Sequence, residues 1–352
     1  MSKLYIDELE SDGEATTRLA VREKQLRVAR NGKPFLTLKL ADKTGTITGR
    51  VWDDAARAAE KAVVGGVVQV RGRCERFRDE LQLNILEMEP VDPGEIDPSD
   101  FLPVCPRNLD ELYARFESLA SGVKRPALQR LLKRVRSDAD LMERFKKAPA
   151  AKSMHHAYLG GLLEHSVSVA RTAERLYEHF VEQYRDLDRD LLLTGALLHD
   201  IGKVREFDYT LCIDYSHAGR LLGHIVLGVE ILEDKIRGIK NFPAEEALLL
   251  KHLLLSHHGE TELGAVKLPL TREAFLLHFA DDLDAKMNSL TRILDECASD
   301  GDSWTSFQPL FNRFFFRGFG GEGCEALEER GPRSEADEQK DRQLSLWDVA
   351  KR

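Results

Sequence analysis

The sequence lacks the features that mark secreted, membrane-spanning and disulfide-stabilised proteins. Its five cysteines are widely spaced and form no CxxC pair, which argues against a disulfide framework and against a cysteine zinc site. No apolar run approaches the roughly 18 residues that a membrane-spanning helix needs. The acidic start, MSKLYIDELESDGE, has no apolar core, so we expect no secretory signal. These absences predict a cytoplasmic protein with no membrane partner.

The chain also lacks an excess of positive charge. It carries 51 Lys plus Arg against 60 Asp plus Glu, which gives a net charge of -9. This charge excludes a wholly basic duplex-binding protein, because phosphate neutralisation dominates that kind of binding. It does not exclude a local basic groove. With 352 residues, 42% of them hydrophobic, the chain has room for about two domains with packed cores.

Histidine is absent from most of the chain. All 11 histidines lie between His155 and His278. Histidine is the commonest metal ligand and the side chain best suited to proton transfer near neutral pH. The clustering therefore predicts that the chemistry of this protein lies in that third of the sequence.

Residues 1–90 have the alternating pattern of β-strands, with one alanine-rich helical stretch. Strands are predicted at 18–29, 35–40, 44–52, 67–77 and 81–88, and the helix at 53–62. Five strands with a helix between the third and the fourth is the order of an OB-fold, a barrel that binds oligonucleotides on its strand 2–3 face. We therefore predict an N-terminal all-β OB-fold domain.

Basic and aromatic side chains on the predicted third and fourth strands suggest a nucleic-acid surface. Arginines at alternating positions of a strand share a face and can follow a phosphate backbone while an aromatic ring stacks on a base. The alternative is a solvated strand face above core aromatics. The candidate substrate-binding residues here are Arg50, Trp52, Arg71, Arg73 and Phe77.

The rest of the chain divides by composition. Five of the 12 prolines lie between Pro90 and Pro106, so residues 91–107 are predicted to be a stiff linker. Residues 108–317 have helical periodicity, which predicts an all-α bundle. Residues 318–352 are polar and poor in large apolar side chains, which predicts a disordered tail.

The candidate metal ligands come from different predicted helices or helix ends, so a bundle can bring them together. A single histidine on an apolar face is more often a core residue, but several buried imidazoles together favour a metal. Two divalent metals can hold a hydroxide nucleophile and stabilise in-line displacement at phosphorus, and a lysine nearby can neutralise a phosphate oxygen. The candidates are His165, His199, Asp200, His224, His257, His258 and Asp281 for metal, with Lys203 as the lysine.

These residues resemble a known family. The order His165, His199-Asp200 and Asp281 is similar to that of the HD-domain superfamily of metal-dependent phosphohydrolases. A longer set of motifs, together with the OB-fold in front, resembles the YhaM-type 3′→5′ exoribonucleases of bacteria over about residues 1–317. The motifs are HHAYLGGLLEHS (155–166), LLHDIGK (197–203), LLGHI (221–225), LSHHG (255–259) and DDLDAKMN (281–288).

The resemblance implies a site with two divalent ions, Mn²⁺ in preference to Co²⁺, Fe²⁺, Mg²⁺ or Zn²⁺. One ion would bind His165, His199, Asp200 and Asp281; the other would bind Asp200, His224 and His257, with His258 as a further ligand, so that Asp200 bridges. Relatives with a third ion carry a carboxylate where this chain has Gly161. His155 and His156 are expected to meet substrate phosphate, the alternative being a capping role.

The implied function is a metal-dependent 3′→5′ exonuclease that releases 5′-mononucleotides from single-stranded RNA, with Asp200 and Lys203 as catalytic residues. Single-stranded DNA stays open as a second substrate. One alternative is an HD-domain phosphohydrolase for a nucleotide or cyclic dinucleotide, which would have no need of an OB-fold. Another is a non-enzymatic single-strand-binding adaptor, which would have no need of the ligand set. The sequence leaves open whether the chain forms a homo-oligomer.

A short peptide near the C-terminus suggests a protein partner. Residues 343–347, QLSLW, resemble the pentapeptide by which bacterial replication and repair proteins dock on the DNA sliding clamp, with Trp347 in place of the usual phenylalanine. A short extended peptide on a flexible tail can place apolar side chains in a groove. The alternative is that the peptide packs on its own chain. The candidate partner-binding residues are Gln343, Leu344, Leu346 and Trp347.

Overall fold

A computed structural model of the chain describes residues 3–29, 32–77, 80–296 and 303–318. The chain divides into two units, Met1–Met287 and Asn288–Arg352. Nearly all of the predicted tail, including the peptide 343–347, lies outside the described residues. Among the helices that are described, none is both long enough and apolar enough to span a bilayer.

The N-terminal part of the first unit is a closed five-stranded barrel with the strand order β1-β2-β3-β5-β4. Strands β3 and β5 pair in parallel and the other neighbours are antiparallel. The predicted OB-fold is confirmed, including the helix between the third and fourth strands. The elements are β1 (Glu14–Val28), β2 (Pro34–Ala41), β3 (Thr46–Val51), α1 (Ala55–Lys61), β4 (Val67–Phe77) and β5 (Glu80–Pro90).

Alternation along the strands separates the barrel core from its surface. In β4, Val68 and Val70 point into the core while Arg71 and Arg73 are exposed. The register with β5 shifts between Arg71 and Gly72. A Cβ at Gly72 would lie 2.3 Å from the backbone oxygen of Asn84, so only glycine permits this close approach of the two strands.

The proline-rich segment packs against both neighbouring parts of the first unit. It contains two short 3₁₀ turns, Pro93–Glu95 and Pro98–Asp100, whose first turns are capped by aspartate side chains. The buried Phe101 forms a small apolar cluster with Leu211 and two barrel residues. Nearby, Arg22 on β1 donates a hydrogen bond to the backbone oxygen of Leu211 at 3.0 Å. These contacts attach the barrel to a loop of the helical region.

Residues from Leu109 onward form the predicted helical bundle, which is confirmed. Its large core is built mainly from leucine and alanine side chains of successive helices. The helices are α2 (Leu109–Ser121), α3 (Pro126–Arg136), α4 (Ala139–Lys147), α5 (Gly161–Phe180), α6 (Arg189–Leu198), α7 (Lys203–Glu206), α8 (His217–Arg237), α9 (Ala244–Ser256) and α10 (Arg272–Glu296).

Two features of the bundle were not predicted. A hairpin of two three-residue strands, β6 (Phe207–Tyr209) and β7 (Ile213–Tyr215), lies between α7 and α8 and is too short to give a periodic signal. Helix α8 is bent at Gly223, where φ is 73°, a left-handed conformation that favours glycine. Both features lie next to the predicted metal ligands.

Gly202→Ala is expected to lower the free energy of unfolding by about 1–3 kcal/mol, the usual cost of overpacking. A methyl group there would lie 1.9 Å from the backbone oxygen of His224 and 2.5 Å from the backbone nitrogen of Gly228, so α8 would have to move. Urea unfolding measures the change. Gly45→Ala is the matched control, since its nearest neighbour would be a side-chain carbon 3.8 Å away. Equal stability of the two variants would contradict the close contact.

Candidate metal centre

The structure brings the predicted metal ligands together at the centre of the bundle. His165 lies on α5, Asp281 on α10, and His224 directly after the bend in α8. The pairs His199-Asp200 and His257-His258 follow the last residues of α6 and α9. Two helix ends, one helix bend and two positions within helices thus bring side chains from five elements toward one point.

A first group of ligand atoms surrounds one oxygen of Asp200. His165 Nε2 lies 3.3 Å from Asp200 Oδ2 and 3.0 Å from Asp281 Oδ1. His199 Nε2 lies 3.2 Å from His165 Nε2 and 3.3 Å from Asp200 Oδ2. All four side chains are buried. Two imidazoles and two carboxylates at these distances can hold a divalent cation between them.

A second group faces the other oxygen of the same carboxylate. Asp200 Oδ1 lies 3.5 Å from His224 Nε2 and 3.6 Å from His257 Nε2. These three atoms are buried and have no hydrogen-bond partner among the described residues. The ring of His258 is close enough to add a third imidazole to His224 and His257. Buried polar atoms left without partners are costly unless they bind a ligand, here a cation.

The backbone orients two of the imidazoles. Nδ1 of His199 lies 2.8 Å from the backbone oxygen of Ala196, and Nδ1 of His257 lies 2.8 Å from that of Leu254. A carbonyl oxygen can only accept a hydrogen bond, so Nδ1 carries the proton in both rings. The lone pair on Nε2 therefore faces the centre, as a metal ligand requires.

Carboxylates orient the other two imidazoles. His165 Nδ1 donates to Asp284 Oδ2 at 2.8 Å, and His224 Nδ1 donates to Glu206 Oε1 at 3.1 Å. The backbone nitrogen of His224 donates to the same Glu206 oxygen at 3.0 Å. Glu206 therefore fixes both the ring and the bend that presents it.

The electrostatics of the site favour bound cations. Burial acts to raise the pKa of Asp200, but Lys203 and His199 hold that pKa well below its usual range, so the group stays a carboxylate. Burial lowers the pKa of His258 to about 3, which keeps its imidazole neutral. Burial also acts to lower the pKa of His165, yet the surrounding carboxylates, Asp200 and Asp281 foremost, raise it well above its usual value. The donor set thus fits divalent metal ions.

Three of the candidate ligands, His224, His258 and Asp281, line an open cavity of about 350 Å³. Lys203 lies at its wall and donates to Asp200 Oδ2 at 2.6 Å, so the lysine and the carboxylate form a buried ion pair. His155 also lines the cavity, and burial lowers its pKa to about 3, so it presents a neutral ring. His155 and Lys203 thus lie on the wall of the same cavity as the candidate ligands.

His156, by contrast, does not face the cavity, which differs from the expectation that it meets substrate. It is 3% exposed, and its ring nitrogens lie 3.3 Å from Glu164 Oε2 and 3.0 Å from Asp284 Oδ2. Its φ of 48° turns the backbone at this point, which sends the side chain inward. The sequence presents His155 and His156 as an equivalent pair, whereas the backbone separates their roles.

Three residues in or beside the candidate site have no clear signal in the sequence. Glu206 and Glu164 are buried acids in helices that contain both apolar and polar residues, so the sequence does not distinguish them from solvent-exposed acids. Tyr215 lines the cavity from the unpredicted hairpin. Glu206 lies three residues after the end of the HDIGK motif, and its burial becomes visible only when the packing of α7 against α8 is known.

The aromatic part of the predicted nucleic-acid surface is assembled on the barrel. Trp52, 43% exposed, stacks on Phe35 with ring centroids 4.8 Å apart. The Arg50 guanidinium carbon lies 5.9 Å from the centroid of Trp52 and 5.3 Å from that of Phe77. An exposed pair of rings with an arginine beside it suits base stacking and phosphate contact.

The arginines of β4 are placed less simply. Arg71 and Arg73 are both exposed on the outer face of the strand. Arg71 forms an ion pair with Glu87 on β5, with Nη2 and Oε1 2.7 Å apart, so part of its charge is neutralised locally. The partner-binding candidates Gln343, Leu344, Leu346 and Trp347 lie outside the described residues.

Comparison with known proteins agrees with this architecture. Residues 162–286 match the HD domain family, and residues 18–91 match the family described as OB-fold nucleic acid binding domain. The chain is 34% identical over 300 residues to the 3′-5′ exoribonuclease YhaM of Geobacillus sp. (strain WCH70), a match covering 85% of this chain and 90% of that protein. It is 34% identical over 302 residues to the protein of the same name from Bacillus subtilis (strain 168), covering 85% and 93% of the two chains.

Glu206→Ala is expected to weaken metal binding at the His224 group by about 10- to 100-fold, the usual effect of removing a partner that orients a ligand. The His224 ring would lose the acceptor for its Nδ1 proton. Titration with Mn²⁺, followed by the electron paramagnetic resonance of the free ion, measures the affinity. Glu233→Ala is the control, since that acid lies on the surface of α8 and pairs with Lys251. Unchanged affinity in Glu206→Ala would contradict the orienting role.

Proposed function

Since the chain belongs to the family of the YhaM 3′-5′ exoribonucleases, we propose that it is a metal-dependent exonuclease that shortens single-stranded RNA from its 3′ end and releases 5′-mononucleotides. The observation that carries the proposal is the double use of Asp200. One of its oxygens faces His165 and His199, and the other faces His224 and His257. An HD domain built in this way behind an OB-fold combines phosphodiester chemistry with strand binding.

We infer that the two groups of candidate ligands would each hold a divalent ion, with Asp200 contributing one oxygen to each group. When bound, such a pair supplies a hydroxide nucleophile and neutralises charge on the phosphate. Mn²⁺ suits the mixed imidazole and carboxylate donors, with Co²⁺, Fe²⁺, Mg²⁺ and Zn²⁺ as alternatives. A third carboxylate ligand at Gly161 has no room, because a Cβ there would lie 2.1 Å from the backbone oxygen of His156.

The chain's own residues prepare the site for a phosphodiester. Lys203 keeps Asp200 ionised and places a positive charge at the cavity wall, where it can stabilise a phosphate oxygen in the transition state. His155 is neutral at physiological pH and can share a hydrogen bond with the substrate. Burial of the centre strengthens each of these interactions by excluding water.

Two aromatic surfaces fit the RNA strand. On the barrel, Trp52 and Phe77 with Arg50 can hold bases and backbone at a distance from the cut. At the cavity, Tyr215 is 40% exposed and has the Lys152 Nζ atom 5.7 Å from its ring centroid, with Arg220 on the same ring at 5.9 Å. A ring flanked by cations suits a base and its phosphate.

Single-stranded DNA is a second candidate substrate, because stacking and phosphate contacts do not require the 2′-hydroxyl group. A nucleotide or cyclic dinucleotide would fill the cavity without the barrel, so it explains less of the chain. We also propose a cytoplasmic location from the sequence, which leaves the oligomeric state open.

Digestion of 5′-labelled RNA with Mn²⁺ tests the activity. The wild-type protein should produce a ladder that shortens from the 3′ end together with 5′-mononucleotides, and chelation of the metal should stop it. Asp200→Ala should produce no ladder, because both metal groups share that residue. A matched DNA oligonucleotide in parallel shows the sugar preference.

The control for this assay is Asp234→Ala, an exposed carboxylate on α8 that should leave the rate unchanged. Intact RNA with metal-loaded wild-type protein would contradict the nuclease and favour a small phosphate ester as substrate. Cleavage that persists in Asp200→Ala would show that the chemistry lies elsewhere.

We also propose that QLSLW at 343–347 docks on the DNA sliding clamp, a proposal that rests on the sequence pattern alone. The full-length protein should migrate with purified clamp in gel filtration, and Leu346→Ala with Trp347→Ala should abolish the shift. Lys351→Ala, just beyond the peptide, serves as the control. Absence of a shift with the wild-type protein would refute the docking without touching the nuclease.

A further inference from the structure

A second cavity of about 280 Å³ lies between α2 and the outer face of α5, and it shares no lining residue with the metal cavity. Its α5 side chains recur at helical spacing, so one face of that helix forms a continuous wall. Four of the lining residues are arginines: Arg107 just before α2, Arg115 on α2, and Arg171 and Arg175 on α5.

The charges in this arginine cavity are only partly balanced. Arg107 Nε lies 2.9 Å from Glu164 Oε1, and Glu164 is buried at the cavity floor. Arg115 and Arg175 pair with surface acids of their own helices, and both of these pairs are well exposed. Among the described residues, no carboxylate lies within ion-pair distance of Arg171. Positive charge therefore exceeds negative charge inside the cavity.

The rest of the lining indicates the class of ligand. Ser168 and Thr172 add hydroxyl groups beside the guanidinium groups, and Leu112 and Val167 close the floor. None of the lining side chains is aromatic, so the cavity offers no surface for stacking a base. Guanidinium forks match the oxygens of phosphate in geometry and charge.

We propose that the arginine cavity is a second anion site that binds the phosphate group of a nucleotide or of the RNA backbone. Exposed arginines alone are common, but here they surround a recess with a buried carboxylate and two hydroxyl groups. A phosphate bound there would take the place of water at Arg171 and would compete with Glu164 for Arg107.

The same cavity is connected to the metal centre by hydrogen bonds. The Ser168 hydroxyl donates to Asp284, which accepts from the metal-ligand candidate His165. Glu164 reaches the same carboxylate through His156. An anion that shifts Ser168 or Glu164 thus acts on groups that orient His165. By linkage, any change that phosphate causes in metal affinity must be matched by an equal effect of metal on phosphate affinity.

Titration calorimetry of the full-length, Mn²⁺-loaded protein with inorganic phosphate tests the site. Phosphate can bind at the metal centre as well as in the arginine cavity. The double variant Arg171→Ala with Arg175→Ala distinguishes the two sites, because it should abolish the binding event in the arginine cavity or weaken it by about tenfold. Arg237→Ala, an exposed arginine at the end of α8, should bind like the wild-type protein. The double lysine variant should retain part of the binding, since it keeps the charge.

Two further titrations identify the source of the phosphate. The RNA probe is a short strand whose 3′-terminal linkages are methylphosphonates, which resist hydrolysis. If RNA is the ligand, its affinity for the double alanine variant should depend less steeply on salt. The slope of log affinity against log salt concentration should become shallower by about 0.7 for each lost phosphate contact. If a free nucleotide is the ligand, 5′-AMP binding should fall and the RNA slope should stay the same. Identical phosphate, 5′-AMP and RNA binding by the alanine variant and the wild-type protein would overturn the proposal. Because these titrations measure binding alone, they would do so whether or not the protein cleaves RNA.

Discussion

The buried carboxylate of Asp200 is the constraint around which the helical domain is arranged. It is 1% exposed, and burying an unpaired charge of this kind costs several kcal/mol even after the protein relaxes. The chain offsets that cost with Lys203 and with imidazoles that face each of the two carboxylate oxygens. The two oxygens therefore face two separate groups of nitrogen atoms, and this division places a single aspartate in both groups of candidate ligands.

The fold holds those nitrogen atoms by using groups that helices leave free. The last carbonyls of a helix have no partner within it, and α6 and α9 end where their carbonyls can accept from His199 and His257. Where no helix end is available, a buried acid takes over, as Glu206 does for His224. Two kinds of local device, a helix-end carbonyl and a buried acid, thus orient four imidazoles with the same result, an Nε2 atom aimed at Asp200.

Much of this could be predicted from the sequence because it depends on residue type and spacing. The alternating strands identified the barrel, and the confinement of histidine to one region, with the HDIGK motif, identified the candidate ligands. What the sequence could not supply depends on backbone direction and on contacts between distant segments. The backbone turns at His156 with a positive φ and separates that ring from His155. The pairing of β4 with β5 places Glu87 opposite Arg71, where the two form an ion pair. The hairpin that carries Tyr215 has strands too short to be recognised.

The contact between Arg22 and Leu211 links the barrel to the loop of that same hairpin. The same hairpin carries Tyr215 to the wall of the metal cavity. The cavity wall is therefore attached to the barrel as well as to the bundle. A substitution at Arg22 would act on that wall from a distance, without touching any candidate metal ligand.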